Sequence, residues 1–222
     1  MSIQRPAEIA TALSRAKVAV QSYPKAAMFA LAEEGYTSLF EQLVSCMISI
    51  RTYDEVSLPV SRRLFKHART PAAMAQLTPA TIQSLIREST YADRKAEQIW
   101  AIAQQIVSDY GSELPAELNV LLAFKGVGPK CAHLALGIAC RQPYISVDTH
   151  VHRVVNRWGL VQTSTPEKTA RTLEEHVPKD QWIQVNEYLM PFGKQICTHT
   201  LPRCSTCPLR DMCPQVGVDR HR

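Results

Sequence analysis

Glycine is scarce in this chain of 222 residues, with eight in all, and its 14 prolines are scattered. Collagen-like repeats and low-complexity linkers are therefore excluded. No apolar run approaches the roughly 18 residues needed to cross a bilayer. The N-terminal stretch MSIQRPAEIATALSRAKVAV lacks the continuous apolar segment of a signal peptide and reads as an amphipathic helix. No two adjacent segments alternate apolar and polar residues with period two, so a sheet has no support in the pattern. Charge blocks and long repeats are also missing, which leaves domain boundaries invisible in the composition. The expectation is a soluble, cytoplasmic globular protein, 45% hydrophobic, with chain enough for one large domain or two small ones.

Neither sign of charge dominates. Lys and Arg number 25 against 20 acidic residues, for a formal charge of +5. The excess is uneven: residues 1–115 carry 12 basic and 11 acidic side chains, residues 116–222 carry 13 and 9. This permits a polyanionic partner without demanding one, since a solvated basic face would look the same.

The pattern that is present is helical. Over Asp93–Tyr110, Ala96, Ile99, Trp100, Ala103, Ile106 and Val107 recur at spacings of three and four, with Asp93 as the expected N-cap. Thr78-Pro79 and Thr165-Pro166 each place a capping hydroxyl before a first-turn proline. Helices are expected at about 6–21, 37–50, 54–68, 79–88, 93–110, 116–123, 129–140, 148–158, 166–176 and 179–195. The fold class is all-α.

Seven cysteines fall into two groups. Cys46, Cys131 and Cys140 stand singly among aliphatic residues and read as small core hydrophobes. Cys197, Cys204, Cys207 and Cys213 crowd into 17 residues as C-x6-C-x2-C-x5-C. A disulfide scaffold would not leave three thiols alone in the body of the chain, so the tail points to a metal. Four thiolates suit an iron–sulfur cluster. Four Cys, or three with His199, would also satisfy tetrahedral zinc.

The segment LLAFKGVGPKCAHLALGIAC, residues 121–140, holds two helical patterns separated by Gly126-Val127-Gly128. Two glycines a residue apart allow a tight reversal at positive φ and a close approach of bare backbone to a ligand. Pro129 suits the first position of the second helix, whose N-terminus then offers free N–H groups to an anion such as a DNA phosphate. A plain helix–helix turn would use the same glycines. Lys130 follows in the first turn, where the macrodipole disfavours a cation by about 0.3–1 kcal/mol. It is either a solvated lysine or an amine kept neutral enough to form a Schiff base. Asp148, in SVDTHVHRVVNRWG, is either an ordinary N-cap or a carboxylate that takes a proton and stabilises positive charge on a sugar.

Taken together, GVGPK, VDTH with its Asp 18 residues beyond the Lys, and the C-x6-C-x2-C-x5-C tail resemble the endonuclease III family of the helix-hairpin-helix DNA glycosylase superfamily. The likeness runs through nearly the whole chain. LVSCMISIRTYDEVS resembles the family's LLSxQxTD helix and YADRKAEQIW its LYNxKAxxI segment.

That resemblance implies a base-excision repair enzyme, a bifunctional glycosylase and abasic-site lyase acting on oxidised pyrimidines in double-stranded DNA. Lys130 would attack C1′, with Asp148 assisting from the opposite wall of a cleft, and β-elimination would cut the strand. It implies a [4Fe–4S] cluster on Cys197, Cys204, Cys207 and Cys213, and a monomer without membrane contact. It also implies a six-helix domain over residues 32–142 and a discontinuous cluster domain of residues 1–31 and 143–222. Arg51 and Tyr91 stand where the family has the glutamine and leucine that fill the gap left by a flipped nucleotide, and Thr90 replaces the usual glycine. Arg51 would favour the O6/N7 edge of guanine. Lys125, Gly126, Gly128 and Arg203 would meet phosphates, with Lys194 and Arg210 as further basic neighbours. Phe124-Lys125 and Pro129 depart from the family's Leu-Pro and Arg around GVG. A mismatch- or purine-specific glycosylase, and a non-enzymatic DNA-binding or redox-sensing protein, are the alternatives.

Overall fold

The computed structural model describes residues 6–222, and among them every regular element is a helix. Residues 1–5 of the expected N-terminal helix and cluster domain lie outside the described residues. The chain divides into two compact units, Ala27–Gln142 and residues 6–26 with Pro143–Arg222. No helix among the described residues is long and apolar enough to cross a membrane.

The first element, α1 (Pro6–Val20), belongs to the discontinuous unit. The inserted unit then runs α2 (Ala27–Glu33), α3 (Leu39–Ser49), α4 (Asp54–His67), α5 (Pro71–Ala75), α6 (Pro79–Leu85), α7 (Ala92–Tyr110), α8 (Leu118–Ala123) and α9 (Pro129–Cys140). Six of these have seven residues or more, and α5 and α8 are shorter. At its centre is α3, in which every residue from Leu39 to Ile48 is buried. It packs against α9, α4, α2 and α7.

A helix buried all round must have its end groups satisfied by protein. At its start the Ser38 hydroxyl accepts from the Glu41 amide at 3.2 Å while the Glu41 carboxylate takes the Ser38 amide at 3.0 Å, a reciprocal capping box. Glu41, only 3% exposed, is neutralised by Arg69 at 2.6 Å. Gln42 reaches back to the Tyr36 carbonyl at 2.6 Å.

The discontinuous unit continues with α10 (Thr149–Arg157), α11 (Pro166–His176), a 3-10 turn at Lys179–Gln181, α12 (Trp182–Gln195) and a second 3-10 turn at Cys204–Thr206. Val151, Val154 and Val155 bury one face of α10, and Trp158 meets Phe192 of α12 edge-to-face at 5.9 Å. Gly193 makes the α10–α12 approach possible, because a Cβ there would come within 2.9 Å of His150 Cβ.

Thr78 and Thr165 cap their helices as the Thr-Pro pairs predict, through the Thr81 and Lys168 amides. Two expectations change. α7 is capped not by Asp93 but by Tyr91, in a left-handed conformation and with no side-chain bond, so Asp93 serves only as a first-turn anion. Three helical segments were not anticipated: α2, α5 and the turn at Cys204–Thr206. The apolar AMFALAE of α2 has no polar face to set a period, and five-residue α5 is too short to show one, although Thr70-Pro71 repeats the capping signature.

Ser38→Ala removes the hydroxyl that accepts from the Glu41 amide and leaves only the bond from the residue 38 amide to the Glu41 carboxylate. It is expected to destabilise the Ala27–Gln142 unit by about 1–2 kcal/mol, read as a lower urea midpoint with unchanged slope.

Candidate nucleic-acid interface and cysteine loop

The hairpin forms because α8 stops at Phe124, whose amide returns to the Leu121 carbonyl at 3.2 Å, and Val127 closes the turn onto the Phe124 carbonyl at 3.1 Å. Phe124 and Val127 are buried as anchors, while Lys125, Gly126, Gly128, Pro129 and Lys130 are exposed. Only Gly126 has positive φ, +93°, and a Cβ there would strike the Gln98 side chain at 2.5 Å. Gly128 has φ −101° and open space about its Cα, so the turn itself does not require a glycine at that position. The sequence expectation of two positive-φ glycines is corrected to one. Gly128 is the N-cap of α9 and brings no side chain to its first turn. Those amides keep the anion-binding character of a helix start.

Lys130 extends from this first turn with its side chain exposed. Its charge is felt by Cys46 of α3 and Cys131 of α9, both buried. These two thiols are paired: donating its hydrogen to Cys46, with burial added, pushes the Cys131 thiol well up. The pair is therefore packed core, and so in part is Cys140, half-buried and shifted up by burial.

Arg51 and Tyr91 are both exposed and both left-handed, at φ 54° and 59°. For side-chain-bearing residues this conformation costs on the order of 1–2 kcal/mol each, so the surroundings must enforce it. The Thr90 hydroxyl donates to the Arg51 carbonyl at 2.8 Å, and the Thr90 amide donates to Thr52 Oγ1 at 3.1 Å. Below them lies Lys95, 4% exposed, whose ammonium donates to the Ile48 carbonyl at 2.7 Å, the Ile50 carbonyl at 2.8 Å and Thr52 Oγ1 at 3.1 Å. Burial pulls its pKa down from 10.5 to about 8. At that value it stays protonated at neutral pH, with its donors taken by the three oxygens.

A groove of about 420 Å³ brings Arg51, Tyr91 and Gly126 together with Arg94, Lys95 and Gln98. A neighbouring groove of about 520 Å³ shares Arg94 and Gln98 and reaches Lys125. The interface of this unit thus includes Arg94 and Gln98, with buried Lys95 in the floor beneath them, and the sequence alone singles out none of the three. Tyr91, Arg94 and Gln98 stand at spacings of three and four along one face of α7, and this was the available signal for the latter two.

In the other unit Asp148 caps α10, its Oδ1 accepting from the His150 amide at 2.9 Å and the Val151 amide at 2.8 Å. Along α10, Arg153 and Arg157 then hold the cysteine loop by its backbone. Arg153 donates to the Gly193 and Cys197 carbonyls at 2.7 and 3.1 Å. Arg157 reaches the Thr198 and His199 carbonyls at 2.6 and 2.9 Å and the Cys197 sulfur at 3.5 Å. All four tail cysteines line one small cavity walled by Trp158, Phe192 and Ile196. His199 is exposed and does not line it. Among the described residues no group of three or more His, Cys, Asp or Glu is arranged to hold a metal ion. Burial pushes the Cys204, Cys207 and Cys213 thiols up, Cys207 to about 11, so any metal that binds must displace their protons. Arg203 is exposed within the loop, as is Arg210, while Lys194 is half-buried.

Two compact helical units, one with a glycine hairpin leading to an exposed lysine and one with a four-cysteine loop, define a helix-hairpin-helix protein. Residues 44–179 match the HhH-GPD superfamily of base excision DNA repair proteins. The chain is 40% identical over 177 residues to endonuclease III of Thermotoga maritima, covering 80% of this chain and 83% of that one. It is 36% identical to endonuclease III-like protein 1 of Bos taurus, over 79% of this chain and 58% of the bovine one. A trapped endonuclease III–DNA covalent intermediate, an estranged-adenine complex, superposes with a TM-score of 0.79 at 26% identity, covering 95% of this chain and 96% of the other. A non-covalent endonuclease III–DNA complex gives 0.80 with 95% of both covered. A thermostable thymine-DNA glycosylase, 20% identical with a TM-score of 0.72, shares the fold. This chain belongs to the HhH-GPD superfamily and, within it, to the endonuclease III family.

Gly126→Ala puts a Cβ into Gln98 at a left-handed residue. Duplex affinity is expected to fall roughly tenfold or more as the hairpin amides turn away from phosphate, measured by anisotropy at fixed salt.

Proposed function

We propose that the chain is a bifunctional glycosylase and abasic-site lyase of base-excision repair, acting as a monomer on oxidised or ring-saturated pyrimidines in double-stranded DNA. The observation that carries this reading is Lys130, an exposed primary amine directly after a glycine hairpin, in the first turn of a helix with no side-chain cap. A nucleophile stands there beside a site suited to the phosphate of its own substrate.

The chemistry follows from the amine. Neutral Lys130 Nζ attacks C1′ of the extruded nucleotide, and the base leaves with the electron pair of the glycosidic bond and takes up a proton. The sugar ring opens as O4′ is protonated, and Nζ and C1′ become an iminium. Loss of a C2′ proton then expels the 3′ phosphate and cuts the strand. Water hydrolyses the iminium and frees Lys130. Asp148 is assigned the stabilisation of positive charge at the sugar, the proton transfers, or both. Its cap bonds fix the carboxylate at the start of α10.

Backbone phosphates fall to the Gly126–Gly128 amides, Lys125 and Arg203. Arg51 and Tyr91 occupy the space of the extruded nucleotide, Tyr91 by stacking and Arg51 by bonding the estranged base, with guanine preferred through O6 and N7. The assigned location is the cytoplasm, nucleoid-associated if bacterial, where a genomic substrate would be met.

The four-cysteine loop is assigned a [4Fe–4S] cluster. Four thiols around one apolar-walled cavity supply the full ligand set, and their C-x6-C-x2-C-x5-C spacing resembles that of the endonuclease III family's cluster loop, which favours the cluster over zinc. When bound, the cluster cross-links a loop that has little core of its own. Four thiolates and a doubly positive core together take two from the formal charge of +5, so attraction to DNA comes from the basic residues. Arg153 and Arg157 hold the loop backbone independently of it.

Borohydride reduction on a duplex with one abasic site is expected to trap a covalent adduct with the wild type and none with Lys130→Ala. A folded wild type that yields no adduct overturns the lyase assignment and favours binding or a monofunctional glycosylase. The purified protein is expected to contain iron and acid-labile sulfide in equal amounts, without zinc; stoichiometric zinc in their place overturns the cluster.

A further inference from the structure

Lys95 stands out because the attack at C1′ does not use it, yet it is buried, charged and bonded at its backbone to Tyr91 and at its ammonium to the residues on either side of Arg51. Its own amide donates to the Tyr91 carbonyl at 3.0 Å, the bond that opens α7. Its ammonium spends three donors on the turn carrying Arg51, at Ile48, Ile50 and Thr52. Thr90 closes the circuit with bonds to Arg51 and Thr52. Arg51 and Tyr91 lie forty residues apart in sequence, each in a sparsely populated backbone region, and one lysine joins them.

We propose that Lys95 is a positioning residue, a buried clamp that keeps the Arg51 and Tyr91 turns in register so that both side chains enter the duplex together and the opposing base is read. The idea rests on the reading of Arg51 and Tyr91 as gap-filling residues. The ammonium itself touches no substrate. It acts through carbonyls at the C-terminal end of α3, where a cation is also favoured by the helix dipole. Lysine suits the task because three tetrahedral N–H donors can reach three separate oxygens. Thr90, in place of the family's glycine, supplies the second tie, so this loop is held by side-chain bonds.

The test compares Lys95→Met and Thr90→Val with Arg51→Ala and Tyr91→Ala, all as full-length, iron-loaded protein. Two substrates are used: a duplex with one oxidised pyrimidine, and a single-stranded oligonucleotide with one abasic site and no stack to fill. Lys95→Met is expected to lose roughly 10- to 100-fold in duplex excision, to trap on the single strand at the wild-type rate, and to lose the preference for guanine over adenine opposite the lesion. Thr90→Val, at an exposed position, should show the same split to a smaller degree and decides the matter if Lys95→Met does not fold. Equal losses on both substrates would mark Lys95 as merely structural and overturn the proposal. So would normal duplex excision by Lys95→Met, or by Thr90→Val where Lys95→Met does not fold, alongside impaired Arg51→Ala. If Arg51→Ala and Tyr91→Ala both excise normally, the gap-filling reading itself fails.

Discussion

The burial of α3 from Leu39 to Ile48 is the constraint from which much of the Ala27–Gln142 unit follows. Ten consecutive residues, including Glu41, Gln42 and Ser45, are withdrawn from water, so the groups at the helix ends look chiefly to the protein for their hydrogen bonds. The N-terminal end is settled by Ser38 and Glu41, with Arg69 neutralising the carboxylate. The other end is settled by Lys95, entering from α7. That second solution has reach beyond the core, because the carbonyls it satisfies belong to the turn that projects Arg51. A folding requirement and the aim of a surface residue are met by one ammonium.

The discontinuous unit solves a different problem. From Ile196 onward the chain has only isolated apolar anchors, such as Leu209, and no regular element beyond one 3-10 turn. Arg153 and Arg157 compensate from the side of α10 opposite its valine face, binding successive carbonyls where a packed helix would have offered side chains. Arginine suits this, since its planar fork of donors can hold several fixed acceptors at once. The thiols are thereby brought around one cavity by protein contacts alone, before any bond to a metal is counted.

The parts legible in the sequence were those with a local cause. Long amphipathic helices, Thr-Pro starts, the hairpin turn and cysteine spacing each depend on residues close together in the chain. The all-helical class followed directly. Asp93 was misread because a good capping residue near a helix start is only a local preference, and here the Thr90–Arg51 and Thr90–Thr52 bonds, some forty residues distant, decide where α7 begins. The role of Lys95 is hidden in the sequence for the same reason. In sequence it looks like a solvated lysine beside Ala96, and only the tertiary fold reveals that its neighbours are unsatisfied carbonyls. Gly128 carries the opposite lesson: paired with Gly126 it reads as a turn requirement, whereas the backbone there is ordinary.

Asp148, the carboxylate proposed for the chemistry at the sugar, is also part of the architecture. Its Oδ1 closes the first turn of α10, the same helix whose later arginines restrain the cysteine loop. Alanine at this position would fray the helix and remove the charge at once, and lost turnover could not be divided between the two. Asparagine caps a helix as well as aspartate does but carries no charge. The two substitutions therefore form a natural pair: what they share belongs to the missing carboxylate charge, and what alanine adds belongs to the helix.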